Sequence, residues 1–391
     1  MPQDDQTSFL AGPSARRAKR YSRIRLALLG GQTAMSTGAL AWFTLSGRSA
    51  RLRRSIERWV LNDQMIVPIF LATTSTVNWA TRLPLGLVRD VVVERRYGLT
   101  RQSTRGWAGD QRKGLAVNLL AGVSLGTAAH WIIRTRPRDW WFVLASATVP
   151  VSVVFAQIGP VVLMPIFNRF ELLQDDRLED RLRKLSQRAG VSIAAIYRMD
   201  MSRQTEKPNA FFTGLWRTKR IVLADTLLDR FEPDEIEGIV AHELGHQVHG
   251  DIWRFIAMGS VGGYGLAFVT HRLTPRLIAA SATRTDVIEA GDVAALPLLA
   301  LVASLAGFLM APVMAAVSRA IEARTDRYAL ELTGDGPAFA RALTKLGIES
   351  LADPSPPRWL VLLFYSHPPL ARRITEAEAF MRTSAESPAN A

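Results

Sequence analysis

The chain has 391 residues, 48% of them hydrophobic and 21% charged, with a net charge of +13. It contains no cysteine. Disulfides, zinc–thiolate sites and cysteine nucleophiles are therefore excluded, and any metal centre must draw on His, Asp or Glu. The charge is carried by arginines that flank apolar runs, a placement that favours an anionic membrane surface over nucleic acid.

Residues 1–24 are polar and then basic, ending in ARRAKRYSRIR, and read as a disordered tail. An apolar run follows at 26–47. Basic residues ahead of an apolar stretch also fit a signal peptide. No small-x-small site ends this run before the arginines of 48–54, so a retained membrane helix is the better reading. Further apolar runs lie at 59–88, 114–133, 140–167, 255–270 and 293–317. Several are long enough for a bilayer crossing, which takes about 20 residues. Trp140 and Trp141 lead the fourth run as an interfacial anchor would. The weakest spans are 59–88, which holds Asp63, Pro68 and Arg82, and the short, glycine-rich 255–270.

Soluble sequence comes in two blocks. In the first, 169–254, residues 172–191 form an amphipathic helical pattern stopping at Gly190, and SIAAIYRMDMS reads as a strand. NAFFTGLWRTKRIVLADTLL, 209–228, reads as a β-hairpin turning near Arg217 to Lys219. The second block, 318–381, opens with another amphipathic helix, and the Ser/Pro/Ala-rich 382–391 is a disordered tail. The layout is thus four membrane helices in 25–168, a first soluble part, two membrane helices in 255–317, and a second soluble part. The fold class is mainly α, a polytopic helical membrane protein with a zincin-type domain holding a small β-sheet. Six spans place both soluble blocks and both termini on one side. The basic N-terminal tail and 89–113 loop favour the cytoplasm, although the 48–58 loop is basic too.

The chemistry lies in FEPDEIEGIVAHELGHQVHG, 231–250. Pro233 suits a first helical turn, the acids Asp234, Glu235 and Glu237 suit its positive end, and Gly250 suits its stop. His242 and His246 are four apart, so both imidazoles leave one face of the helix and form two corners of a zinc site. Glu243 sits about 100° round the helix, where it reaches a water rather than the same corner. The third ligand is open on spacing. A metzincin histidine would fall at 252, which is Ile252. His249 lies near the helix end and reads as a surface residue or a supporting one. Glu322, with Asp326 four residues on, offers a carboxylate and a partner for a ligand histidine's free N–H. A salt-bridged helix face explains that spacing equally well.

These elements, with NAFFTG, KRIVLADTLL, YSHPPLARRI at 365–374, ERRYGLTRQS at 94–103 and PIFNRFELLQDDRL at 165–178, resemble the type I CAAX prenyl endopeptidase family of membrane zinc metalloproteases. The HtpX heat-shock proteases are its nearest relatives. The likeness covers about 60–380. It implies one Zn2+ per chain on His242, His246 and Glu322, with Glu243 as the base and His367 as a donor to the developing oxyanion. Arg372 assists, and Asn209 and Ala210 open a strand that pairs with an extended substrate. The implied partners are a lipid bilayer and a peptide or protein substrate, lipidated or membrane-embedded, with no nucleic acid. Eukaryotic members have seven spans against the six counted here. The excess of arginine over lysine points to a GC-rich bacterial genome, hence the inner membrane, where prenylated substrates are scarce. A quality-control protease without prenyl specificity is the alternative within this chemistry. A transporter or non-catalytic scaffold is the alternative outside it.

Overall fold

The computed structural model describes residues 9–214 and 218–386. Helix α1 (Pro13–Leu45) opens it. The N-terminal segment is therefore not a disordered tail from residue 9 onward, and long-range packing is the reason. Phe9 is fully buried in the core formed by the soluble blocks, against Gly347. Ala18 and Tyr21 pack with Val93, Leu99 and Leu351. Arg17 donates to the Tyr97 carbonyl at 2.8 Å.

Helix α2 (Arg48–Trp59) is short. Helix α3 (Ile66–Leu87) runs on through a π-turn at Val88–Val93 to Tyr97, where Gly98 ends it at φ +75°. Helix α4 (Thr104–Thr135) starts from Ser103, whose side chain accepts the Gly106 N–H. Helix α5 (Trp140–Ile158) is prolonged by a second π-turn to Phe167.

The first soluble block begins with β1 (Phe170–Leu172) and helix α6 (Asp176–Arg188). Asp175 caps α6, and Leu178, Leu182 and Leu185 form its buried stripe. Strands β2 (Ala195–Met199), β3 (Ala210–Thr213) and β4 (Arg220–Ala224) complete a four-stranded sheet in the order β1-β2-β4-β3. β2 and β4 are parallel, and the other pairs are antiparallel. The β3–β4 pair is the expected hairpin. Arg217, at the start of its expected turn, lies outside the described residues. β3 is an edge strand, with β4 on one side only.

Helix α7 (Pro233–Val248) carries both histidines of the motif. Glu232 and Glu235 form a reciprocal capping box at its start. Gly250 at φ +64° turns the chain into helix α8 (Asp251–Thr285). Helix α9 (Leu296–Thr333) follows, then α10 (Gly336–Ser350), α11 (Arg358–Phe364) and α12 (Leu370–Glu386). Two expectations change here. α9 has no break near 317, so one helix carries both the sixth apolar run and Glu322. The C-terminal tail is helical as far as Glu386.

Among the described residues, four helices are long and apolar enough to cross a membrane: Thr104–Thr135, Trp140–Phe167, Asp251–Thr285 and Val293–Thr333. The weak run at 255–270 is thus part of a 35-residue helix. α1 and α3, which hold the first two runs, do not reach that apolarity. Their polar residues have a place to go: Gln32, Asn78, Arg82 and Arg89 line a cavity of about 390 Å3 together with Gln111 and Asn118 of α4.

The two soluble blocks share one apolar core. Leu182, Ile221, Leu223, Ile236, Leu244, Leu343 and Ile374 are all fully or almost fully buried in it. At Gly245, α7 meets α9 so closely that an added Cβ would lie 2.8 Å from Thr325 Cγ2 and 3.0 Å from Tyr328 Cδ1. That contact brings the histidine face of α7 against the Glu322 face of α9.

Candidate metal centre

His242 and His246 project from α7 with ring centroids 4.9 Å apart and planes perpendicular. From α9, Glu322 places Oε2 3.2 Å from His242 Nε2 and Oε1 3.6 Å from His246 Nε2. One donor atom from each of the three lies within 4.8 Å of the other two. Glu322 Oε2 is buried and has no hydrogen-bond partner among the described residues. A carboxylate oxygen left so is costly in a dry site. A divalent cation shared with the two imidazoles removes that cost, and the donor set of two nitrogens and an oxygen suits one.

Each imidazole is backed on its other nitrogen. His246 Nδ1 is 3.0 Å from Asp251 Oδ2, and Asp251, 1% exposed, is held by Arg254 and Arg324. His242 Nδ1 is 2.9 Å from Asp326 Oδ1, in contact but off the line of a good hydrogen bond. Both Nδ1 atoms thus face carboxylates, which orients both Nε2 atoms toward Glu322. Burial alone would depress the His242 pKa, but the carboxylates of Asp326 and Glu322 outweigh it and raise it to about 9.

Glu243 is half-buried beside the two histidines. Burial raises its carboxyl pKa, while His242 and His246 oppose the rise, and it accepts a hydrogen bond from the Phe212 N–H. That bond fixes the relation of α7 to the sheet. Asn209 O accepts from Ala224 N–H at 2.9 Å. Alternation along an antiparallel strand then turns the N–H and C=O of Ala210 and Phe212 to the free edge of β3. The edge passes directly by Glu243.

His367 stands on the open side of the site. Its Nε2 is 3.3 Å from Glu322 Oε2, and its Nδ1 is 2.8 Å from Ser366 Oγ. Burial pulls its pKa down, with Glu322 opposing, so the ring is neutral near pH 7. His249 is apart from the three donors, with its ring against the edge of Tyr328. Arg372 is not brought to the centre: it is exposed and pairs with Glu376 on its own helix. The next residue, Arg373, takes that place and grips Asp326. Asp251 and Arg373 are the two residues sequence reasoning missed. A carboxylate one residue past the Gly250 stop was the available signal for Asp251. For Arg373 the helical phase of α12 was needed.

The model of peptidase family M48 matches residues 172–381, more than half of the chain. The chain belongs to peptidase family M48. The model of the CAAX prenyl protease N-terminal region, five membrane helices, matches residues 8–169 of the same M48 chain. The uncharacterized metalloprotease YhfN of Bacillus subtilis is 29% identical over 384 residues, 96% of this chain and 88% of that protein. CAAX prenyl protease 1 of Saccharomyces cerevisiae is 28% identical over 325 residues, covering 78% and 70%. A crystal structure of Ste24p from S. mikatae superposes with a TM-score of 0.86 at 23% identity, covering 96% of this chain and 90% of that one. This M48 chain is an integral-membrane metalloendopeptidase, and the resemblance read from its motifs holds.

Proposed function

We propose that His242, His246 and Glu322 hold one Zn2+, and that the protein cleaves peptide bonds with Glu243 as general base. The observation carrying this is that donor atoms of His242, His246 and Glu322 lie within 4.8 Å of one another, with Glu322 Oε2 buried and without a hydrogen bond and Glu243 adjacent. A bound divalent ion supplies Lewis acidity to water and to the scissile carbonyl. Glu243, held by the Phe212 N–H, takes the proton from the attacking water and returns it to the departing amine. His367, neutral and half-exposed, donates to the oxygen of the carbonyl under attack. Asp326 and Asp251 hold the histidine rings. The free edge of β3, opened by Asn209 and Ala210, receives the substrate as an added strand beside Glu243.

The favoured substrate is a C-terminal segment presented at the membrane, as the names of the CAAX prenyl protease relatives imply. The cell context is a bacterial inner membrane with the centre on the cytoplasmic side, in keeping with the basic N-terminal tail and 89–113 loop. Cleavage of a farnesylated peptide beside the same peptide without its lipid, in detergent, tests the substrate class. Preference for the lipidated form supports the CAAX-like reading. Equal rates favour the quality-control alternative. Elemental analysis tests the metal: one zinc per chain is expected.

A further inference from the structure

The cavity of about 390 Å3 walled by α1, α3 and α4 lies in the region that matches the five-helix membrane model, and His242, His246 and Glu322 are not in its wall. Its volume is that of a small-ligand site. Two polar stripes face it. On α3, Ser75, Asn78, Trp79 and Arg82 follow one another at helical spacing, and on α4 Trp107, Gln111 and Asn118 do the same.

The wall holds donors without acceptors. Trp79 and Trp107 each bury an indole N–H that has no hydrogen-bond partner among the described residues. Trp107 is only 8% exposed. A Cβ added at Gly86, another wall residue, would meet Trp107 Cζ2 at 3.6 Å, so the edge of the ring beside its N–H is turned to the wall. Arg82 adds a positive charge. Asp90 is the one acid in the wall, and Arg89 takes both of its oxygens, Nε to Oδ1 at 2.6 Å and Nη2 to Oδ2 at 2.9 Å. Gln32 Oε1 is taken by Arg89 as well, from Nη1 at 2.6 Å. Arg82 is thus left as the unneutralised charge of the wall, inside a helix of the membrane region, where an arginine calls for a partner. A guanidinium and an indole N–H donate and cannot accept. Water supplies acceptors to such groups but no charge. A tetrahedral oxyanion supplies both, with enough oxygens for the guanidinium fork and the two indoles together.

We propose that this cavity binds a phosphate group, held by Arg82 and by the N–H groups of Trp79 and Trp107, with the amides of Asn78, Gln111 and Asn118 around it. Free phosphate and the headgroup of an anionic lipid carry the same chemistry. The site takes no part in bond breaking at the metal centre, and it stands or falls independently of the peptidase reading.

The test uses the purified full chain in an uncharged detergent, stripped of lipid and exchanged into phosphate-free buffer. Thermal melting is followed as inorganic phosphate is added, beside chloride and acetate at matched ionic strength. Saturating phosphate is expected to raise Tm by about 2–4 °C, with chloride and acetate leaving it unchanged. Arg82→Gln should raise the half-saturating phosphate concentration by about tenfold or more, and Trp107→Phe, which removes the N–H and keeps a ring, by about threefold to tenfold. A second arm replaces inorganic phosphate with dihexanoyl phosphatidic acid, with the matching diacylglycerol as its control. Half-saturation at a lower concentration of the lipid assigns the group to a headgroup, and the reverse order assigns it to the free anion. No shift with either phosphate compound overturns the proposal, and so does an equal shift with chloride or acetate. A shift that persists unchanged in both variants is a bulk salt effect and overturns it as well. The comparison of anions on the unmutated chain does not depend on any variant folding.

Discussion

Arg373 holds Asp326 with two parallel donors, Nε to Oδ2 at 2.7 Å and Nη2 to Oδ1 at 2.6 Å, and Asp326 faces His242 Nδ1. Both side chains are nearly buried. Removing the guanidinium leaves a charge without its partner. Arg373→Met should therefore destabilise the protein by about 3–5 kcal/mol in denaturant titration. Metal affinity should fall by about 10–100-fold, because the ring of His242 loses its fixed support. Arg373→Lys keeps the charge, loses the fork and recovers only part of both. Arg372→Ala, one residue earlier on an exposed face, should change stability by less than about 0.5 kcal/mol.

Glu322 is the only acidic member of the donor set. Zinc added to metal-free protein at about a thousand times its Kd should stabilise the fold by about 4 kcal/mol. Glu322→Ala should lose the bound metal and with it that thermal shift. A full equivalent of zinc on the variant would remove Glu322 from the ligand set.

Glu243→Gln preserves shape and the contact with Phe212 but cannot take a proton. Zinc content should stay at one per chain, and turnover of a peptide should drop by about 10²–10⁴-fold. Unchanged turnover would assign the base elsewhere.

At Gly245 there is no room for a side chain between α7 and α9. Gly245→Val forces the Thr325 and Tyr328 side chains aside or the helices apart, at about 1–3 kcal/mol. Because α7 carries the histidines and α9 carries Glu322, metal affinity should fall with stability. The measurement is zinc titration beside thermal melting. A variant that loses stability and keeps full affinity would show the two helices held in register by other contacts.

What could be read from the amino acids followed local rules. His242, Glu243 and His246 group on one helix by the 3.6-residue period, whereas spacing alone leaves Glu322 and Asp326 open to a plain salt-bridged face and only the family resemblance favours them. The β3–β4 hairpin is legible from its alternating pattern. What escaped depends on distant partners. The segment from Phe9 to Ile24 reads as a polar tail because its partners, Glu94, Leu351 and Gly347, are far along the chain. The change of composition near 317 looks like a boundary. It marks a change of surroundings, while the backbone hydrogen bonding of α9 continues through it. The first apolar run reads as a span and the second as a weak one, and no local rule shows that their Gln32, Asn78 and Arg82 line a shared internal cavity.

The unbroken course of α9 has a mechanical meaning. Leu296 and Glu322 belong to one rod, separated by about 39 Å at 1.5 Å per residue. One part of that rod is long and apolar enough to cross a membrane, and the other carries Glu322, the proposed metal ligand. Bilayer thickness is then expected to tune the proposed reaction: a thinner membrane should leave Glu322 farther above the headgroups, and a thicker one should draw it toward them, which cleavage rates in bilayers of different acyl length would show. The lipid acts as the bench on which the blade is mounted, and its height selects which part of a tethered chain comes under the edge.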